Sequence, residues 1–566
     1  MRSLTATITV ALLLGLTVTA AAASSFDATK IDASFLSEIL GAPTDDFDVI
    51  VRSVPVDSEG PADRTAARRI EKAAKSVTRA SGTLKHALAI VGAVSARMKG
   101  VQVLKLTRDS EVDYVVKDQK LRAQFDPALD SAKAQTPGII EVAAPQVWSQ
   151  LGMTGQGVGI AIVDSGVYPH PDLAGRIVAS IDFTTASPTV SSTSTGDPGG
   201  HGTHVAGLVA GDGTASGGAF TGVAPRANII NVRVIDANGS SNVSTILRGL
   251  QWVLANRATY NIKVVNLSLG ATPAASYKSD LMATAAEVLN FAGVTVVVSA
   301  GNTGPLAGTV TTPGTDPYVV TVGALDDNGT SLPLDDLMSV FSARGRTTFD
   351  YLSKPDLVAP GRKMVSLRSP GSSLDTLFPD RQVTANGTLT ADYYRLSGTS
   401  MAAPIVAGVV ALMVERNPSL SPAQIKKRLK STATALMFGT AFDRGAGLVN
   451  AYKAVSSVDP GREYAPDRVS DAFAKDMRKF IQGQPFVWRD LTYHGGVDTA
   501  GMTWEGVTWE NVRWDAVTWE NVTWEGFTWE GVTWEGVTWE TLTWQSTDQQ
   551  STGAQSGTGT FWDPVD

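Results

Sequence analysis

Apolar residues along this chain change rhythm twice. In the first stretch, about residues 45–122, they alternate with polar ones or recur at helical spacing. Phe47–Val54 (FDVIVRSV) alternates as a half-buried strand does, and Arg64–Val77 sets alanines among charged residues with a helical period. Ala87–Arg97 predicts a second helix, while Val101–Leu106 and Asp113–Asp118 predict two further strands. Together these elements predict a small α+β domain. From Ile139 the apolar runs become continuous: Val158–Val163, Ile229–Val234, Val264–Leu267, Val294–Ser299 and Val319–Val322. Helical patterns at Val243–Asn256 and Ser276–Phe291 separate them. Strands without a polar face must be covered on both sides. The pattern over residues 139–457 therefore predicts an α/β domain, a mostly parallel sheet with helices on both faces. Residues 123–138 and 458–500 read as linkers.

Composition narrows the function classes. Hydrophobic residues make up 43% of the 566 positions, enough for a substantial core, and the chain has no cysteine, so disulfides cannot staple it. The net charge of −8 is uneven, because residues 502–545 hold eight acids and one base. The remainder is close to neutral and carries no basic footprint, so nucleic acid is not an expected partner. Met1-Arg2-Ser3, the apolar run Leu4–Ala20 and the small residues Ala20–Ser24 have the form of a secretory leader over residues 1–23. An uncleaved anchor is the alternative, although the run is short for a spanning helix. Beyond it no stretch reads as long and apolar enough to cross a bilayer, so the expected location is extracellular.

Three motifs in the α/β region carry chemistry. Gly159–Gly166 (GIAIVDSG) ends a buried strand in Asp164, at the carboxyl end where sites form in open α/β sheets. A strand-end Asp is also a common turn cap. Gly200–Gly207 (GHGTHVAG) puts His201 at the start of a helix; a metal pair with His204, or a structural histidine, is the alternative. Gly398–Pro404 (GTSMAAP) places Ser400 at a helix N-terminus, where free N–H groups and the helix dipole favour an oxyanion. An ordinary N-cap is the other job for a serine there.

Taken together, DSG, GHGTHVAG and GTSMAAP, in the order Asp…His…Ser, resemble the motifs of subtilisin-like serine proteases over residues 139–457. The resemblance implies a mostly parallel sheet between helices and a secreted endopeptidase acting on polypeptide substrates with broad specificity. It implies Ser400 as nucleophile, His201 as general base and then acid, and Asp164 as the group that orients the imidazole. Asn302, in Ser299-Ala300-Gly301-Asn302, matches the family's oxyanion donor. Gly239, Ser240 and Ser241, and Ser268, Leu269 and Gly270, match backbones that pair with an extended substrate. Asp172 resembles a calcium ligand of some relatives, so structural calcium is an expectation, with no cofactor required for the chemistry. The α+β region, within residues 24–122, resembles an inhibitory propeptide: an intramolecular inhibitor of a zymogen, cut between Arg122 and Pro137. Two rival functions remain open: a processing protease with one partner substrate, and a wall- or glycan-binding protein acting through the tail.

That tail, residues 501–545, repeats Val-Thr-Trp-Glu-Gly and spends nine of the 13 tryptophans at every fifth position from Trp504 to Trp544. A period of five suits neither a continuous strand nor a helix. The unit resembles a pentapeptide-repeat β-helix with Trp at its centre. The readings open to it are a stacked spacer, an aromatic surface for cell-wall polymer or polysaccharide, and disorder; residues 546–566 form a polar end.

Overall fold

A computed structural model describes residues 26–54, 62–123, 137–385 and 390–458, together with short strands between Phe486 and Gln545. The leader, the stretch 124–136 and the polar end lie outside the described residues. The chain forms two compact units, one comprising the chain to Asp118 and the segments from Phe486, the other running from Gln119 to Pro485.

In the first unit, strands β1 (Asp46–Ser53), β2 (Thr83–Leu88), β3 (Ala93–Lys99) and β4 (Val112–Lys117) form a sheet in the order β2-β3-β1-β4. The helix over Ala62–Arg79 buries Ala67, Ile70, Ala73, Ala74 and Val77, a stripe at helical spacing. Two expectations are corrected here. Ala87–Arg97 is not a helix but the end of β2, a turn at Gly92 and most of β3. Its alanines favour a helix, yet β3 pairs antiparallel with both β1 and β2, and that central position overrides propensity. Val101–Leu106 is not a strand but part of a helix, Gly100–Thr107. Gln102 caps it by accepting from the Lys99 N–H at 2.7 Å, and Val103, Leu106 and Thr107 form its buried face.

The second unit is built on an eight-stranded sheet. Its members are β6 (Gly159–Asp164), β7 (Ile177–Asp182), β8 (Asn228–Arg233), β10 (Ile262–Leu267), β12 (Thr295–Ser299), β13 (Val320–Asp326), β14 (Leu337–Met338) and β15 (Leu357–Pro360). The order is β14-β13-β12-β10-β6-β8-β7, with β15 on β13, and every pair is parallel except β13–β14. Every residue of β6 and β12 is buried, as their unbroken apolar runs require. Helix α1 (His201–Ala210) and helix α2 (Thr399–Arg416) pack against this sheet. Helix α2 corrects another expectation, since by length and apolarity it could span a membrane. Its residues from Thr399 to Val414 are all buried, so it is a core helix.

The repeat segment has backbone strands of three residues, Thr508–Glu510, Thr518–Glu520, Thr523–Glu525 and their successors. They pair in parallel at an offset of 20 residues, Trp509 opposite Trp529 and Trp519 opposite Trp539. A period of five with pairing at 20 sets each strand opposite the fourth repeat unit beyond it.

Candidate active site

The topology draws the three motifs together. Asp164 ends β6, His201 opens α1, and Ser400 is the second residue of α2. All three are buried, with exposures of 0, 2 and 0%. The His201 Nδ1–H donates to Asp164 Oδ1 at 2.8 Å, and the Ser165 N–H donates to the same oxygen at 2.7 Å. That approach requires glycine at 202, where a Cβ would meet the Gly166 carbonyl at 2.1 Å. Burial alone would push the His201 imidazole down, but the charge and hydrogen bond of Asp164, with Asp197 beyond, hold it above its ordinary value.

Asp197 is a member of this site that the sequence reading missed. Its carboxylate accepts from Ser165 Oγ, Gly200 N, Thr203 N and Thr203 Oγ at 2.6–2.8 Å, which fixes the start of α1 beside β6. An Asp three residues before a Gly-His helix start is the available signal. His204, by contrast, sends Nε2 to the carbonyls of Met364 and Tyr394 at 3.1 and 3.0 Å. Burial and neighbouring His201 push it down to about 3, so it is a neutral structural group and not half of a metal pair.

Helix α2 is shaped for its serine by Pro404. Proline has no N–H to bond the carbonyl four residues earlier, so the Ser400 carbonyl instead accepts from Ser268 Oγ at 3.0 Å. In return the Ser400 hydroxyl donates to the Ser268 carbonyl at 3.0 Å. Asn302 is held from one side. Its Oδ1 accepts from Thr399 N and Thr399 Oγ1, both at 2.9 Å, which turns Nδ2 the other way. That Nδ2 is buried and has no hydrogen-bond partner among the described residues, an expensive vacancy unless an acceptor arrives. The Thr399 hydroxyl also accepts from the Gly301 N–H at 3.1 Å. Thr399 is thus a positioning residue that motif reading passed over.

Beside the serine lies a strand of the chain itself. Strand β5 (Lys120–Ala123) is the middle member of a three-stranded antiparallel sheet, between β9 (Ser240–Asn242) and β11 (Leu269–Gly270). Lys120, Leu121 and Arg122 pair with Asn242, Ser241 and Ser240, and Arg122 and Ala123 with Gly270 and Leu269. The expected substrate edges are therefore paired edges, with Asn242 added. Gly239 is the turn before β9, at φ 75°. Ser268 sits one residue before β11, in contact with Ser400. The Leu121 side chain is buried, 3% exposed.

Asp172, the residue of the calcium expectation, is bonded within the protein through both carboxylate oxygens. Its Oδ1 accepts from the Ala215 N–H and its Oδ2 from the Tyr393 hydroxyl, both at 2.7 Å. Both oxygens already have protein donors, and His170 Nδ1 stands 3.8 Å away. The residue anchors a buried aromatic contact.

Comparison with known proteins agrees with this geometry. The sequence profile of the subtilase family matches residues 155–449. The chain is 38% identical over 356 residues to the serine protease AprX of Bacillus subtilis (strain 168), covering 62% of this chain and 76% of that protein. It is 39% identical over 316 residues to subtilisin Savinase of Lederbergia lenta, covering 56% of this chain and 96% of that protein. Among solved structures it is similar to fervidolysin from Fervidobacterium pennivorans, a keratinolytic enzyme related to subtilisin. The TM-score is 0.55 at 25% identity, over 73% of this chain and 61% of that one. The chain belongs to the subtilase family and is a subtilisin-like serine endopeptidase.

Proposed function

We propose that this protease is exported as a zymogen and cleaves polypeptides broadly through Ser400, His201 and Asp164. In this reading the Ser400 hydroxyl turns from the Ser268 carbonyl to His201 Nε2, which takes its proton as Oγ attacks the substrate carbonyl. The oxyanion receives hydrogen bonds from Asn302 Nδ2 and the Ser400 N–H, and the helix dipole of α2 adds to them. His201 then protonates the departing amine, and water releases the acyl group by the same route. Asp164 keeps Nδ1 protonated and stabilises the imidazolium throughout.

The observation that carries this reading is β5, an extended segment held by backbone pairing next to the serine, as a substrate would be held. Ala123 lies opposite Leu269, and the proposed cut is one or two residues further along the chain, near Gln124. The α+β domain then acts as the inhibitor that leaves when this bond is cut. Broad cleavage with an apolar preference at the position of Leu121 follows from its buried side chain. The tail directs where the mature enzyme works; a tail-deleted protein that binds cell walls and polysaccharides as the full chain does would remove this part. The test of the whole is casein cleavage and labelling by a fluorophosphonate probe. Matured wild type should do both and Ser400→Ala neither; a wild type that does neither overturns the reading.

A further inference from the structure

His201 opens α1 directly after Asp197-Pro198-Gly199-Gly200, and two successive glycines make a pliant lead-in. Asp197 steadies the N–H side of this turn, its carboxylate accepting from Gly200 N and Thr203 N at 2.8 Å. The carbonyl side is held by a distant part of the chain. Ser369 Oγ donates to the Asp197 carbonyl at 2.8 Å, the Ser373 N–H to that of Pro198 at 2.8 Å, and the Leu374 N–H to that of Gly199 at 3.2 Å. Three successive carbonyls ahead of α1 thus find their donors in one loop. The approach is close, since a Cβ on Gly200, at φ 92°, would meet Ser372 Oγ at 2.4 Å.

That loop carries its own lock. Ser373 and Leu374 begin a short helix, Ser373–Leu377, and its first N–H groups are free to bond outward. Ser372 Oγ caps the helix by accepting from the Asp375 N–H at 3.3 Å. The Asp375 carboxylate then ties the helix back to the start of the loop. Its Oδ1 accepts from Arg368 Nε at 2.6 Å and Gln382 Nε2 at 2.8 Å, and its Oδ2 from Arg368 Nη2 and the Gly371 N–H, both at 2.8 Å. A guanidinium fork on a carboxylate fixes direction as well as distance. Arg368 also donates to the Ala391 carbonyl at 2.6 Å, and the Tyr394 hydroxyl donates to the Leu374 carbonyl at 2.7 Å. Burial would raise the Asp375 carboxyl, but Arg368, with Gly371 and Gln382, outweighs it and holds the group below its ordinary value. The lock therefore stays charged where His201 titrates.

We infer that Asp375, by closing the loop against Arg368, is a positioning residue for His201, and that the loop sets where the imidazole stands relative to Ser400 and Asp164. The inference rests on the reading of His201 as general base. Asp375 acts through the carbonyls of residues 197–199 and not on the substrate. It should govern proton transfer while the pairing strands β9 and β11 stay as they are. Proton transfer tolerates little displacement, and a misplacement of about 1 Å can lower a rate by about 10².

The experiment compares matured wild type with D375N, S369A and S369T, each verified as folded by circular dichroism and assayed on a peptide substrate well below its Tm. D375N removes the charge that Arg368 grips, and S369A removes one carbonyl donor while leaving the lock in place. We expect kcat to fall about tenfold in D375N and about threefold in S369A, inside the range that a small displacement produces, with KM changed by less than about twofold. In D375N the rising limb of kcat/KM against pH should move to lower pH, because a displaced His201 loses part of the Asp164 bond that raises it. S369T restores the hydroxyl and should recover the wild-type rate. Folded D375N and S369A with unchanged kcat and an unmoved pH limb would overturn the inference. A lowered Tm with no change in kcat would overturn it as well, by assigning the lock to stability alone. Failure of the underlying reading looks different: His201→Ala would then cleave as wild type does, which overturns both.

Discussion

Asp164 and Asp356 are both buried carboxylates in the same domain, yet their surroundings give them opposite characters. Asp164 faces one imidazole, a group whose charge can change during a reaction cycle. Asp356 faces Lys354 and Lys426, both at 2.9 Å, and Lys430 at 3.4 Å. Burial alone would raise Asp356, but the three lysines outweigh it and hold the carboxyl well below the usual carboxylate range. Burial in turn pushes Lys426 down to about 7, against the attraction of Asp356. One site keeps a charge that can be moved, and the other keeps a charge that is fixed. The Glu141–Asp336 pair is a third case, in which burial is the largest cause raising both carboxyls and the two bond to each other.

The comparison can be broken by exchanging its parts. The largest effect is expected at the movable charge. Ser400→Ala or His201→Ala should lower kcat by about 10⁶, subtilisin's own triad being the reference for that magnitude. Stability of Ser400→Ala measured by urea unfolding should hardly change. Asp356→Asn should do the reverse. It strands two buried ammonium groups and is expected to cost roughly 3–5 kcal/mol in unfolding free energy. Active-site titration should show normal turnover per folded molecule.

A smaller effect is expected behind the oxyanion position. Asn302→Ala should lower kcat by about 10²–10³ with little change in KM, a magnitude that is subtilisin's own. Thr399→Val should reproduce part of that loss, because it frees the amide without removing it. A Thr399→Ser variant that restores the rate would separate the hydroxyl's positioning role from packing. The subtlest test is the pH profile. Only neutral His201 can accept a proton, so kcat/KM should rise with pH through a value above the ordinary imidazole range. In Asp164→Asn burial remains and the charge is lost, so this limb should move to lower pH. The linked stability has the opposite sense. The raised imidazole stabilises the fold at pH below its unfolded value, and that contribution is lost as pH rises through the folded value.

How far the sequence could be read depended on whether a feature is local. Asp164, His201 and Ser400 stand inside short motifs whose glycines and small residues are dictated by close contacts, such as Gly202 against Gly166. The parallel strands were legible because burial on both faces leaves no polar position in them. The α+β domain was harder, since β3 is a strand only through its neighbours β1 and β2, while its alanines favour a helix. Thr399 was passed over because its partner lies 97 residues away, and Asp197 because only its bond to Ser165, 32 residues away, ties it to the strand that carries Asp164. The insertion of Lys120–Ala123 between β9 and β11 is likewise a tertiary fact with no signal in four polar and apolar residues. The pairing of Glu141 with Asp336 joins segments that no pattern connects.

The central claim is that Ser400 cuts the chain just beyond the strand that lies beside it. Purified full-length protein incubated alone, followed by N-terminal sequencing of the product, tests this most directly. The account predicts that wild type acquires a new N-terminus within residues 124–136, closest to Gln124, while Ser400→Ala keeps its α+β domain under the same conditions. A purified Ser400→Ala protein that matures at the same bond and rate would contradict it.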